Sequence, residues 1–545
     1  MLAACAPARI RHDTLRVALG DDPGKIDPAT GYSVPTWSID KLLFGSLVDY
    51  DDAGRIVPDL AATWSVEPDR LVFHLRHGLR FSNGAVCRAD DVVASMDRLL
   101  RPQTRCPVPR FYSAIAGADA VIAGRSRHIA GLTAPDPFTV EMRLVRPDPF
   151  LLQVLAMPFC AVLPHGELDP QHPIGTGPFA LTRWIHGQQM IFDRARLAPD
   201  PHSPRRVEFE LGLSEQVEDL KFERGELDLL GVHRPIDGPD FVRLLHDPKW
   251  KSRFVAGPEM ATYYIGMNTE MPPFNDVRVR KAVAFAVDRA RLVQLLNGRA
   301  VIASGFLPPG LPGIDQSLER AVPRPGRAAG SLASAGLGAP AASLAPAGRR
   351  DPLYDVAEAR ALLAQAGHPD GITATYYCPN SGTATKLAMA IQQDLAGAGI
   401  HLILKPLSFP TFLTAVGQRR NVKIFQGNWV ADYPDPSNFL VPLFSSADIQ
   451  DVNSRNTTFF HDPAYDALLA RAAAEPSAAR RDVIYRQAER ELMAQMPVAP
   501  LFHPENYVLV QPWVYGFRLH PVWPLAFWDI CLGAPCRPNV AGGQR

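Results

Sequence analysis

The sequence predicts an α/β protein built of several domain-sized units, and three observations carry that expectation. Strand and helix patterns alternate through 372–425 in the manner of a βαβ unit, which predicts mostly parallel sheet in that half. Thr14-Leu-Arg-Val-Ala-Leu19 and Val207-Glu-Phe-Glu-Leu211 alternate apolar and polar residues, the pattern of half-buried strands. The third observation is length, since 545 residues correspond to about three or four domain-sized units.

The opening strand, 14–19, runs into a loop rich in Pro and Asp, 21–35, that holds Tyr32. Leu71-Val-Phe-His-Leu75 reads as a second strand, with a turn at Asn83-Gly84. Arg88 to Leu100 reads as a helix with Asp90 and Asp91 in its first turn, where the dipole favours them. Residues 263–267 form a short strand. Asn275 then caps a helix whose apolar positions 279, 283, 286, 290 and 293 share one face, and Asn297-Gly298 ends it. Helices also fit 356–366, stopped by Gly367, 383–398, stopped by Gly399, and 478–496, between Ser477 and Pro497. Val422-Lys-Ile-Phe425 reads as a short strand. Residues 321–350 hold ten Ala, four Arg and no Asp or Glu, too few bulky side chains to offset ordering entropy. They predict an inserted, disordered surface loop with no part in binding.

Bulk chemistry excludes several classes. Charges balance at 56 and 56 with no basic run, which argues against a nucleic-acid partner. The 52 prolines are about twice the usual usage and signal many ordered loops. No stretch of about 18 apolar residues is present to span a membrane; the nearest, Pro149 to Pro164, is broken by Gln153 and Pro158. Cys531 and Cys536 can close a small disulfide ring, and without a second ligand pair they make no zinc site. Cys87, Cys106, Cys160 and Cys378 stand among apolar residues and read as buried hydrophobes. No serine-hydrolase elbow, zinc-protease motif or phosphate loop occurs, so no catalytic residue, metal or cofactor is assigned. His74 and His77 fall on opposite faces of a strand, and the pairs Asp51-Asp52 and Asp90-Asp91 read as solvated.

What remains is a binding motif, Gly427-Asn-Trp-Val-Ala-Asp-Tyr-Pro-Asp-Pro-Ser-Asn-Phe-Leu440. Asp432 falls on the loop beyond the 422–425 strand, between the Trp429 indole and the stiff turn Pro434-Asp435-Pro436. A carboxylate beside an aromatic wall at a strand end suits a ligand carrying an ammonium group.

Trp-x-Ala-Asp-Tyr-Pro-Asp-Pro resembles the ligand-loop signature of the peptide/nickel-type (family 5) solute-binding proteins of bacterial ABC importers. Further blocks resemble the same family in the same order. They are Pro58-Asp-Leu-Ala-Ala-Thr-Trp64 with Phe73 to Gly84 and Ala89-Asp-Asp-Val92, then Gly175-Thr-Gly-Pro-Phe179. Met267-Asn268 with Pro273 to Ala282 and Ala286-Val-Asp-Arg289 follow, and last Ala359 to Pro369 leading into Asp394 to Ile400.

The resemblance implies a two-lobed, periplasmic-binding-protein-like fold of the class II type with its ligand cleft at the hinge. The first lobe would take 14–258 plus 500–545, with an extra subdomain at 49–174, and the second lobe 259–499. Gly225-Glu-Leu-Asp228 matches a surface turn of the family. Asp432 would pair with the free α-amino group of a bound peptide, and Trp429 would wall its first side chain. Tyr433, Tyr32, Asn380 and Ser381 complete the candidate ligand-binding set. Dipeptide-type members carry a carboxylate-binding Arg after a Pro-Asn pair, whereas Pro379-Asn380 here leads only to Lys386, a point charge without a bidentate fork. This departure argues against a strict dipeptide ligand.

Leu2-Ala-Ala-Cys5 resembles a bacterial lipobox, which implies lipidation at Cys5, with residues 1–13 as lipobox remnant and tether. The expected protein is a monomer, lipid-anchored in the periplasm or on the outer face of the cytoplasmic membrane. It would deliver an oligopeptide-like solute to ABC permease and ATPase subunits without catalysis. The alternatives are a non-peptide solute such as a metal chelate, opine, haem or oligosaccharide, a peptidase, or a module that reports to a sensor.

Overall fold

The computed structural model describes residues 13–195, 200–311, 351, 353–523 and 525–537. The expectations for Cys5, the tether and the 321–350 segment lie outside these residues. The described chain divides into two compact units, one reaching to Gly257 and resuming at Tyr507, the other running from Pro258 to Asn506.

The first unit contains β1 (Thr14–Ala18), α1 (Val34–Leu43), β2 (Ala61–Glu67), β3 (Arg70–Leu75), α2 (Ala89–Leu100), β4 (Leu132–Asp136), β5 (Thr139–Arg143), β6 (Phe179–Ile185), β7 (Gln189–Arg194), β8 (Arg206–Glu210) and β9 (Leu229–Leu230). One sheet runs β9-β1-β8-β7-β6, with β1 parallel to both neighbours and the rest antiparallel. Leu15, Val17, Phe192 and Phe209 sit in its core, as the alternating pattern of these strands requires. Strands β2-β3-β5-β4 form a separate antiparallel sheet, and α2 packs on it through an apolar stripe containing Val92, Met96 and Leu99.

The Gly175-Thr-Gly177 motif has a steric cause here. A Cβ on Gly175 would stand 2.1 Å from the Leu43 carbonyl oxygen, and one on Gly177 would stand 2.4 Å from that of Leu42. The bare backbone lets the Gly177 N–H donate to Leu43 O at the end of α1, 2.8 Å away. Thr176, fully buried, accepts the Gly45 N–H at 3.0 Å.

Three acidic residues read as solvated are buried. Asp91 accepts the Arg88 N–H at 2.8 Å, closing the start of α2, and the His165 N–H at 2.8 Å. Asp51 folds its own turn by accepting the Ala53 and Arg55 N–H groups. Asp228, expected on a surface turn, is 1% exposed and pairs with Arg16. Each carboxylate is buried because several donors converge on it, local for Asp51, both local and distant for Asp91, and distant for Asp228.

The second unit contains β10 (Ala261–Met267), α3 (Val277–Ala286), α4 (Arg289–Leu295), α5 (Val356–Gln365), β11 (Ile372–Pro379), α6 (Gly382–Gly397), β12 (Ile400–Leu407), β13 (Ile424–Val430), α7 (Ser437–Phe444), α8 (Ala478–Gln495) and the larger part of β14 (Val498–Val510), a strand that runs on past Asn506. The order is β12-β11-β13-β10-β14. Parallel pairing is confined to β12-β11-β13, because β10 runs against both β13 and β14. The sheet is therefore less parallel than the βαβ pattern suggested. Gly266 faces Phe425 and Gly427 faces Tyr264 across the β10–β13 ladder, and a Cβ at either would meet the opposing ring within 2.4 Å. The rings lie over the glycines and make up for the missing side chains.

The long helix expected from Asn275 is two helices. Asp276, not Asn275, caps α3, and the chain extends at Val287 before Asp288 caps α4 through the Arg291 N–H at 3.0 Å. The break orients Arg289, whose guanidinium donates to Pro500 O, Ala284 O and Asp351 Oδ2. Apolar periodicity continues through the break, which is why the pattern reads as one helix.

The sulfurs of Cys531 and Cys536 are 2.14 Å apart, a disulfide in the structure. Cys87, Cys160 and Cys378 are buried and Cys106 is half-buried. Among the described residues no helix is long and apolar enough to cross a membrane.

Candidate ligand-binding site

Strand β13 is longer than the four residues expected, because β10 pairs with it as far as the Ala261–Val430 register. Trp429 thus belongs to the strand, and Asp432 follows two residues after its end. The Ala431 N–H still bonds Met260 O at 2.8 Å, so the backbone reaches Asp432 under constraint. Because β11, β12 and β13 are parallel, Asn380-Ser381, Ser408 and Ala431-Asp432 all leave the sheet at its carboxyl edge, the usual ligand edge of such sheets.

Asp432 is 4% exposed and Trp429 half-buried, while Asn428 and Val430 on the same strand are exposed. The organiser is Asn438, in the first turn of α7. Its Oδ1 accepts the Asp432 N–H at 2.9 Å and the Trp429 Nε1–H at 3.1 Å. Its Nδ2 donates to Asp432 Oδ2 at 3.2 Å. This set fixes the amide orientation, since both N–H groups need an acceptor and the carboxylate needs a donor.

The Pro434-Asp435-Pro436 turn starts α7 and so delivers Asn438. Asp435 Oδ1 accepts the Ser437 N–H at 2.8 Å. Burial pushes the Asp435 carboxyl up, and the Ser437 N–H works in the opposite direction. Tyr433 is buried, with its hydroxyl 3.2 Å from Ser437 Oγ.

The other candidates are placed as follows. Asn380 is exposed, and its N–H bonds Leu407 O at 2.7 Å. Ser381 is the N-cap of α6, its hydroxyl accepting the Ala384 N–H at 3.3 Å. Lys386 is exposed further along that helix. Tyr32 belongs to the first unit, 46% exposed, with its ring 5.7 Å from Phe159 and 6.2 Å from Trp37. Asn438 was missed by sequence reasoning although it lies within the quoted motif. An Asn following Pro-Asp-Pro-Ser reads as turn chemistry, and only the fold turns it back onto Asp432.

The cluster is a braced, buried carboxylate flanked by an indole. Among the described residues no group of three or more His, Cys, Asp or Glu could hold a metal ion. Such a fold and site define a solute-binding protein. Residues 55–451 match the model of the bacterial extracellular solute-binding proteins, family 5 Middle, and the chain belongs to this family.

It is similar to the probable deoxycholate-binding periplasmic protein YgiS of Escherichia coli (strain K12), 28% identical over 521 residues, 92% of this chain and 89% of that protein. It is also similar to the periplasmic oligopeptide-binding protein OppA of the same strain, 27% identical over 538 residues, 95% of this chain and 92% of that protein. Among solved structures it resembles clavulanic acid biosynthesis oligopeptide binding protein 2, with a TM-score of 0.82 and 25% identity, covering 96% of this chain and 95% of the other. The fold class read from the sequence is that of this family.

Proposed function

We propose that this chain is the solute-binding component of an ABC importer, taking up an oligopeptide-like ligand outside the cytoplasmic membrane and passing it unchanged to a permease driven by ATPase subunits. The observation that carries this reading is Asp432, buried and braced by Asn438 beside Trp429. The α-ammonium group of a peptide brings three N–H donors and a full positive charge to that carboxylate. The names of the relatives support the ligand class, since one is an oligopeptide-binding protein and a similar solved structure is another. On this reading the protein acts as a monomer without catalysis, tethered by a lipid at Cys5.

Losing one partner of a desolvated charge pair costs roughly 2–5 kcal/mol. Asp432→Ala should therefore weaken peptide binding about 30-fold or more. The test is mass spectrometry of small molecules released by denaturing the protein purified from its native compartment, wild type beside Asp432→Ala. Short peptides from the wild type, depleted in the variant, are expected.

A second reading has its own support. The first turns of α6 carry Lys386 where the resemblance to dipeptide-type members implies a carboxylate-binding Arg, and one relative is named as a probable deoxycholate binder. A steroid acid carries no ammonium group, so a ligand of that kind should leave both proteins in equal amount. That result would remove Asp432 as the ligand clamp and peptide as the ligand.

A further inference from the structure

We propose that a cavity in the first unit, between the 23–33 loop and the start of α1, binds a free α-amino acid with an apolar side chain, Lys25 holding its carboxylate and Asp40 its ammonium. Every group of this site belongs to the first unit, so the inference goes beyond the peptide reading and does not depend on it.

The cavity measures about 320 Å³. Small-molecule pockets run from about 300 to 1,000 Å³, so its size suits one amino acid rather than a longer ligand. Ile26, Ile39 and the exposed Tyr32 ring give it an apolar wall. The charged side chains that line it are Lys25, Asp27 and Asp40.

Of these three, one is already neutralised. Both oxygens of Asp27 are held by the Arg98 guanidinium, at 3.1 and 2.8 Å. Lys25 is exposed, and among the described residues it enters no ion pair. Asp40 is 3% exposed, and among the described residues its Oδ2 meets no hydrogen-bond partner. Lys41, the next residue of α1, is committed to Asp49 at 2.9 Å. One ammonium at the mouth and one carboxyl on the floor are therefore left without partners, and a buried carboxyl in that state is costly unless something completes it.

This balance of charge selects the ligand class. A simple cation would face the Lys25 ammonium, and a simple anion would face Asp40. A zwitterion meets both groups and brings no net charge. A divalent metal needs several oxygen ligands, and Lys25 would repel it.

Helix α1 sets the direction of the ligand. Ser33 is its N-cap and Thr36 lies in its first turn, both on the cavity wall. Asp40 follows Thr36 by four residues, one turn further on the same face. The partial positive charge of the helix N-terminus thus adds to Lys25 at the carboxylate end. Asp40 Oδ2 is shut beneath Gly31, where a Cβ would stand 3.2 Å away, so Oδ1 is the oxygen left to the ligand. A carboxyl keeps an acceptor oxygen in either protonation state, and an ammonium can donate to it in both.

Calorimetric titration of the full chain tests the site with three probes. They are L-leucine, isopentylamine, which is leucine without its carboxylate, and isocaproate, which is leucine without its ammonium. Leucine should bind, and each single-charge analogue should bind more weakly by about tenfold or more. Lys25→Gln and Asp40→Asn should each weaken leucine by about tenfold or more, while Asp432→Ala should bind leucine as the wild type does.

No binding of leucine by the wild type overturns the inference, as does equal binding of leucine and either analogue. Leucine binding that survives in Lys25→Gln also overturns it, and this exposed position keeps the test decisive if Asp40→Asn does not fold. Leucine binding lost in Asp432→Ala overturns it too, by assigning the amino acid to the Asp432 cluster. The peptide reading is judged by the molecules released on denaturation, so either reading can fall alone.

Discussion

Asn438 holds Asp432 at two points, accepting its backbone N–H on Oδ1 at 2.9 Å and donating from Nδ2 to its carboxylate at 3.2 Å. The same Oδ1 takes the Trp429 indole N–H, so one amide fixes the backbone, the charge and the ring of the site. Asn438→Leu keeps a similar volume and removes all three hydrogen bonds. Each hydrogen bond contributes about 0.5–1.5 kcal/mol net, so a total loss of about 3 kcal/mol is expected in urea unfolding. Ammonium-bearing ligands should weaken in parallel. A variant as stable as the wild type would show that the amide does not brace the site.

Asp228 plays a comparable part within the first unit. Its oxygens accept the Arg16 N–H at 2.7 Å, the Arg16 guanidinium at 2.8 and 3.2 Å, and the Trp513 Nε1–H at 2.8 Å. These partners tie β1 and the 513 region to the 225–228 turn. Asp228→Ala leaves a mostly buried guanidinium without its carboxylate, at a cost of about 3–5 kcal/mol. Thermal unfolding should show a large drop with no change in ligand preference. A drop within about 0.5 kcal/mol, the range of ordinary surface substitutions, would mean that Asp228 behaves as the solvated turn residue its sequence suggests.

These two residues mark how far the sequence could be read. A helix end was legible where the chemistry is local, as at Gly399 after α6, because a positive-φ glycine acts within a few residues. The Asp432 carboxylate was legible as a charge in a stiff loop. Its brace was not, since Asn438 acts only once α7 folds back. The burial of Asp228 was hidden because Arg16 lies 212 residues away in the chain. The break between α3 and α4 was hidden for the same reason, as the Arg289 guanidinium is satisfied by Pro500 O, 211 residues away. Tertiary partners, not local propensity, decided each of these.

Arg289 and Asp351 form an ion pair of 2.9 Å with both side chains 1% exposed. The Arg289 N–H also donates to Asp351 Oδ2, at 3.2 Å, so the pair joins the start of α4 to the segment just before α5. Asp351→Ala leaves the guanidinium buried and uncompensated and should cost about 3–5 kcal/mol. Replacing both residues at once, Arg289→Met with Asp351→Leu, removes both charges and should recover most of that loss. Chemical denaturation of the two variants checks this. A double variant no more stable than Asp351→Ala would show that the guanidinium's bonds to Pro500 O and Ala284 O matter more than the ion pair.

The last prediction concerns pH. Asp219, on the helix Glu215–Glu223, is buried near Asp240 of the helix Gly238–His246. Burial first, then the Asp240 charge, push its carboxyl up to about 7, with Glu218 adding to the rise and Arg243 opposing it. A folded pKa above the unfolded value means that the native state holds the proton more tightly. The resulting stability is fully present below about pH 4 and is lost as pH rises through about 7. Asp219→Asn supplies a neutral side chain at every pH, with an amide whose N–H can donate to Asp240 without taking up a proton from solution. At pH 4 the variant and the wild type should unfold together. At pH 8 the variant should be more stable by about 1 kcal/mol, a figure reduced for solvent and for the Arg243 charge near the pair. Melting curves at the two pH values decide the matter. A difference of the same size at pH 4 and pH 8 would place the effect in packing, and a wild type that gains stability on the variant as pH rises would reverse the sign of the assignment.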